Sequence, residues 1–225
     1  MNSLQQAIQD VSMIRKAIER SGSQPEKAKQ AAINANIMLH AISLILVLAF
    51  IVEELLTNNS TTKIILFAQY FRQVRVMGLI TVGATLPLLL LGLYFIVWRS
   101  SVHGEQDFSS FVSANFRYLR SLSLIADLLV KFVVLALLLY GGHPEWIGAV
   151  LALYTADYLF QGRFFNFSIR TSLVLGFMGL LLSGLLVATD TPLLIWPFVF
   201  FGGLNILSLG GLFLAKRASS GSAVA

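Results

Sequence analysis

The sequence predicts an all-α fold: a polytopic membrane helix bundle of about six transmembrane helices, preceded by a cytoplasmic amphipathic helix. Three observations carry this. Apolar stretches at roughly 36–56, 76–98, 121–141, 146–161, 171–189 and 192–215 fill most of the 225 residues. Most approach the ~20 residues that cross a bilayer as a helix. Hydrophobic residues make up 56% of the chain and charged residues 12%, where soluble domains carry about 25% charged. Basic residues are also distributed unevenly between the stretches, as the positive-inside rule requires of short loops. The expected boundaries are a cytoplasmic amphipathic segment over 1–31, a membrane domain over 32–217, and a disordered tail over 218–225.

The N-terminal segment comes first. Leu4, Ile8, Val11, Ile14 and Ile18 recur every three or four residues, an apolar stripe along one helical face. Ser21-Gly22-Ser23-Gln24-Pro25 is a stop signal, so a second helix is expected from Glu26 into the first span. The stripe suits the lipid interface, a protein partner or a second copy of the chain. Residues 1–30 are charged throughout and lack the apolar core of a secretory leader, which makes the first span a retained anchor.

Charge sets the expected orientation. Arg15, Lys16, Arg20, Lys27 and Lys29 precede the first span. Arg99, Arg117 and Arg120 separate the second and third, Arg163 and Arg170 the fourth and fifth, and Lys216 and Arg217 follow the last. Only Lys63, Arg72 and Arg75 fall on the other side, and Lys131 lies within a span. Both termini are therefore expected in the cytoplasm. The absence of cysteine excludes disulfides and thiolate chemistry and fits a bacterial inner membrane. Residues 63–75 are apolar but too short to cross, and either lie in the outer interface or lengthen the second span. Residues 107–120 place Phe108, Phe111, Val112 and Leu119 on one face and read as an interfacial helix.

Ionisable residues inside spans usually face the bundle interior and find partners there. Asp127 and Lys131 are four apart on the third span and can pair along it. At ~1.5 Å per residue, Asp157 and His40 lie about 10 Å from the cytoplasmic face, near the depth of Asp127. Asn205 matches the deeper Lys131. The sequence thus predicts a buried polar cluster of Asp127, Lys131 and Asp157, with His40 and Asn205 as candidate further members. Tyr154 and Gln161 flank Asp157. Glu53 and Glu54 read as a solvated helix end.

Arg72, Arg75, Arg117, Arg120, Arg163 and Arg170 sit at span boundaries, where they can contact headgroups or other anions. Gly176, Gly179 and Gly184 in the fifth span, and Gly202, Gly203, Gly210 and Gly211 in the sixth, allow close helix approach. They predict a tight hairpin of these two spans and a surface for self-association. No zinc-protease, nucleotide-binding or serine-hydrolase motif occurs. No metal, cofactor or nucleic-acid partner is expected, and the catalytic residues, if any, are not identified. The leading expectation is a non-enzymatic accessory or scaffold component that docks through its N-terminal helix. The alternatives are a small transporter or channel using the Asp/Lys path, and a lipid-modifying enzyme.

Overall fold

The structure is a computed structural model. It describes residues 3–116, 122–162, 164–165, 167–189 and 193–221, with side chains described over 27–116, 125–162, 164–165, 167–189 and 193–217. Regular structure among these residues is helical throughout: α1 (Ser3–Leu56), α2 (Ser60–Phe67), α3 (Arg72–His103), α4 (Phe108–Asn115), α5 (Leu122–Gly141), α6 (Ile147–Phe160), α7 (Ile169–Ala188) and α8 (Ile195–Gly221). A 3₁₀ turn over Pro144–Trp146 leads into α6.

Among the described residues, four stretches of helix are long and apolar enough to cross a membrane: Lys27–Leu56, Arg72–His103, Ile169–Ala188 and Ile195–Arg217. Their outward faces remain apolar. Ile45, Leu91, Leu181 and Leu214 are 64%, 67%, 67% and 68% exposed, a surface that suits lipid and not water. The chain is thus built as a membrane-embedded protein. The expected third and fourth spans correspond to α5 and α6. With 14 residues, α6 is only about 21 Å long, short of the ~30 Å hydrocarbon core.

Helix α1 departs from expectation. Its backbone is helical from Ser3 to Leu56, so Ser21–Pro25 does not end it. One proline removes one hydrogen bond and strains the preceding turn, and the helix resumes on either side. The stripe residues Leu4, Ile8, Val11, Ile14 and Ile18 lie on this helix, in the part whose side chains are outside the described set.

Residues 63–75 are divided between two elements. The first part belongs to α2, and the second opens α3 at Arg72. The reversal after α1 uses Asn58 and Asn59, both with positive φ, a conformation asparagine tolerates better than most residues. Glu54 is fully buried here. It accepts the Thr62 N–H at 3.0 Å and the Thr62 hydroxyl at 2.5 Å. Glu53 accepts hydroxyls from Thr57, Ser60 and Thr61. The pair is therefore no solvated helix end: the two carboxylates hold the first turn of α2 against the end of α1.

Helix α4 also differs. Asp107 caps it by accepting from the Ser109 and Ser110 N–H groups. Phe111 and Val112 are buried against Ala28, Ala31, Ala32 and Ala35 of α1 and Val97 of α3. The face expected to lie on lipid packs on protein, because the small alanines of α1 leave room for the rings.

Neighbour relations close a cycle. Helix α8 packs along α1, α1 along α3, α3 along α5, α5 touches α6, and α6 packs on α8, while α7 lies along α6. The expected hairpin of the last two spans is not formed among the described residues: Gly176 and Gly179 of α7 lie against α6, Gly179 also meeting Phe200 of α8. A Cβ on Gly176 would stand 2.7 Å from the Phe160 ring, and one on Gly179 would stand 3.0 Å from the Ala156 Cβ. Gly202 of α8 turns to Val47 of α1. Gly184, Gly203, Gly210 and Gly211 have open space beside them.

Crowding at Gly179 should be measurable. Gly179→Val is expected to lower stability by about 1–3 kcal/mol, the usual cost of overpacking. Gly203→Val, where no atom lies within 4 Å, is expected to change it little. Thermal unfolding of the two purified variants in one detergent compares them directly.

Candidate functional site

Two polar clusters lie between the helices. The first joins α5 to α6. Lys131 is buried, and its ammonium donates to Asp127 Oδ2 at 2.8 Å and to Asp157 Oδ2 at 2.5 Å. The Asp127 contact follows from the four-residue spacing on one helix. The Asp157 contact crosses to the neighbouring helix. The ammonium also lies 3.7 Å from the centroid of the Tyr158 ring, a favourable cation–π position. Gln161 donates to both oxygens of Asp157 at 2.8 Å, and the Tyr154 hydroxyl donates to the Lys131 carbonyl at 3.0 Å.

Exposure grades through this cluster. The Lys131 side chain is 9% exposed, that of Asp127 22% and that of Asp157 40%. A cation buried this deeply is tolerated only when paired and hydrogen-bonded, and two carboxylates and an aromatic face supply that. The open end is Asp157.

The second cluster is separate. His40 of α1 was expected beside Asp127 and Asp157, and Asn205 of α8 beside Lys131. Instead they bond each other, His40 Nδ1 lying 2.9 Å from Asn205 Oδ1. His40 Nε2 lies 3.0 Å from Ser208 Oγ. All three residues are buried. Phe164 and Phe165 cover the imidazole, with ring centroids 4.7 and 5.7 Å away. Both ring nitrogens are thus engaged within α1 and α8, and the five expected members divide into two groups. Matching depth does not fix position around the ring of helices.

The boundary arginines have diverse roles. Arg75 donates to the Tyr140 carbonyl at 3.2 Å, tying the start of α3 to the end of α5. Arg72 is exposed at the first residue of α3, and Arg170 in the first turn of α7. Arg117, Arg120 and Arg163 lie outside the described residues.

Three participants escaped sequence reasoning. Tyr158 shares the α6 face with Tyr154, Asp157 and Gln161 at helical spacing, so the signal was present. Ser208 lies three residues after Asn205, on the same face. Thr62 gave no signal, because its partnership with Glu54 arises from the tight reversal between them.

Removing the central cation should be the most damaging change to the first cluster. Lys131→Ala removes the cation that the two carboxylates share and is expected to cost about 3–5 kcal/mol, the range for breaking a buried pair. Asp157→Asn should cost less, because that side chain is partly open and retains hydrogen-bonding capacity. Denaturant unfolding of both variants in mixed micelles gives the order.

The chain matches no protein-family model, no curated protein and no solved structure.

Proposed function

We propose that this is a multi-pass membrane protein of about six spans that serves as a non-enzymatic accessory or scaffold component. Its N-terminal helix docks on a partner or on the membrane surface. The observation that carries this reading is the unbroken helix Ser3–Leu56. A docking stripe continuous with a membrane-crossing helix transmits position directly into the bundle, with no flexible linker to lose it. The first polar cluster agrees with a structural role. Lys131 meets two carboxylates and an aromatic ring, as a lock between helices requires.

The six-span arrangement rests on α5 and α6 completing the cycle. The polar groups of α5 are paired inward, and the 3₁₀ turn lengthens the short α6. Both termini then lie on one side, and the basic loops place that side in the cytoplasm, as in a bacterial inner membrane.

Deleting residues 1–20 tests the docking role. The truncated protein is expected to insert normally, yet to lose the larger assembly that the full chain forms after gentle solubilisation, read by native electrophoresis. An assembly of unchanged size refutes docking through this helix.

One observation favours a second reading, a small transporter or channel: Asp157 is the half-open end of a chain of ionisable groups leading to buried Lys131. Proton or cation flux in proteoliposomes is then expected in the parent and absent in Asp127→Asn. Flux indifferent to Asp127 and Asp157 eliminates this path.

A further inference from the structure

The turn that opens α6 holds one carboxylate oxygen in an unusual state. Pro144, Glu145 and Trp146 form this 3₁₀ turn. Glu145 Oε1 lies 3.1 Å from His143 Nδ1. Its other oxygen, Oε2, is buried and meets no hydrogen-bond donor among the described residues. Buried polar side-chain atoms are paired in the large majority of cases, so this one calls for a donor from outside the chain.

Beside it lies a cavity of about 30 Å³, lined by Glu145, Trp146, Ala149, Leu186 and Val187. That is room for roughly one or two heavy atoms. The lining favours a cation in three ways. Glu145 brings a carboxylate, and the torsion that turns it is soft, so either oxygen can swing to a donor in the cavity. Leu186 and Val187 belong to the last turn of α7, the end of a helix that carries partial negative charge. Trp146 brings an indole, the ring whose face attracts cations best.

The position points to lipid. Helix α7 is long and apolar enough to cross a membrane, which puts its last turn at headgroup level. Trp146 is half-exposed there, as tryptophans at membrane interfaces are. Below the cavity, Val187, Gly184 and Leu180 follow at spacings of three and four down one face of α7. Val187 and Leu180 are exposed, and a Cβ at Gly184 would meet nothing within 4 Å. An acyl chain can lie along this open apolar face.

We propose that Glu145 and Trp146 hold the headgroup ammonium of phosphatidylethanolamine, with an acyl chain along Val187, Gly184 and Leu180. A primary ammonium has three N–H donors, and one of them satisfies the unpaired Glu145 oxygen. A choline headgroup has no N–H to donate, and its three methyl groups exceed the cavity. A free amine fits the cavity but forgoes the apolar burial along α7. This site goes beyond the docking role of the N-terminal helix and does not depend on it.

Lipid retention tests the site. The full chain is equilibrated in micelles holding equal amounts of phosphatidylethanolamine and phosphatidylcholine with identical acyl chains. Bound lipid is then counted by native mass spectrometry. One ethanolamine lipid is expected to be retained about 10-fold over the choline lipid, the lower end of what a hydrogen bond to a charged group contributes. Glu145→Gln, which keeps the side-chain volume and removes the charge, should lose the preference. Trp146→Leu should weaken it. Equal retention of the two lipids by the parent overturns the proposal, whatever the variants do. So does a preference unchanged in Glu145→Gln. Free ethanolamine at the lipid's concentration should leave the bound lipid in place. Its displacement would assign the cavity to a water-borne amine and overturn the lipid assignment.

Discussion

Closure of the helix cycle depends on one cation. Helices α5 and α6 meet lightly along their backbones, and the Lys131 ammonium, shared between Asp127 of its own helix and Asp157 of the next, joins them beside the Tyr154 bond to the Lys131 carbonyl. Other neighbouring pairs also approach on small or apolar side chains: alanines between α1 and α3, Gly202 against Val47 between α8 and α1, Gly176 and Gly179 between α7 and α6. In lipid, apolar contact between helices gains little over contact with acyl chains. Where close packing is absent, a charged contact is the natural replacement, because its alternative is an ion stranded in hydrocarbon.

The two polar clusters resolve the same difficulty differently. The first pairs opposite charges and leaves its carboxylate end half open. The second joins His40 to Asn205 and Ser208 by hydrogen bonds, with the Asn205 amide donating to the Phe201 carbonyl. It is buried completely between α1 and α8, as a network whose polar atoms are paired can be. The ionic cluster instead leaves the Asp157 side chain 40% exposed.

The sequence made some of this legible and hid the rest for physical reasons. The Asp127–Lys131 pair follows from spacing alone, since four residues on a helix bring side chains together. The partnership with Asp157 follows from depth, because charges at one level in a bundle tend to meet. Depth misled for His40 and Asn205: it fixes distance along the membrane normal, whereas α1 and α8 lie elsewhere around the cycle. Glycine patterns announced close approach without naming the partner, so α7 was expected on α8 and packs on α6. Glu54 looked like a wet helix end because the hydroxyl and amide that bury it come from a reversal no periodicity reveals.

Helix α1 connects these features. Its alanines receive α3 and α4, His40 engages α8, and Glu54 fixes α2 at the far end. A displacement along this helix cannot be absorbed by a hinge, since the backbone is helical throughout. It must be taken up at contacts with discrete geometry. On the side facing α8, the His40 bonds to Asn205 and Ser208 are directional contacts of this kind.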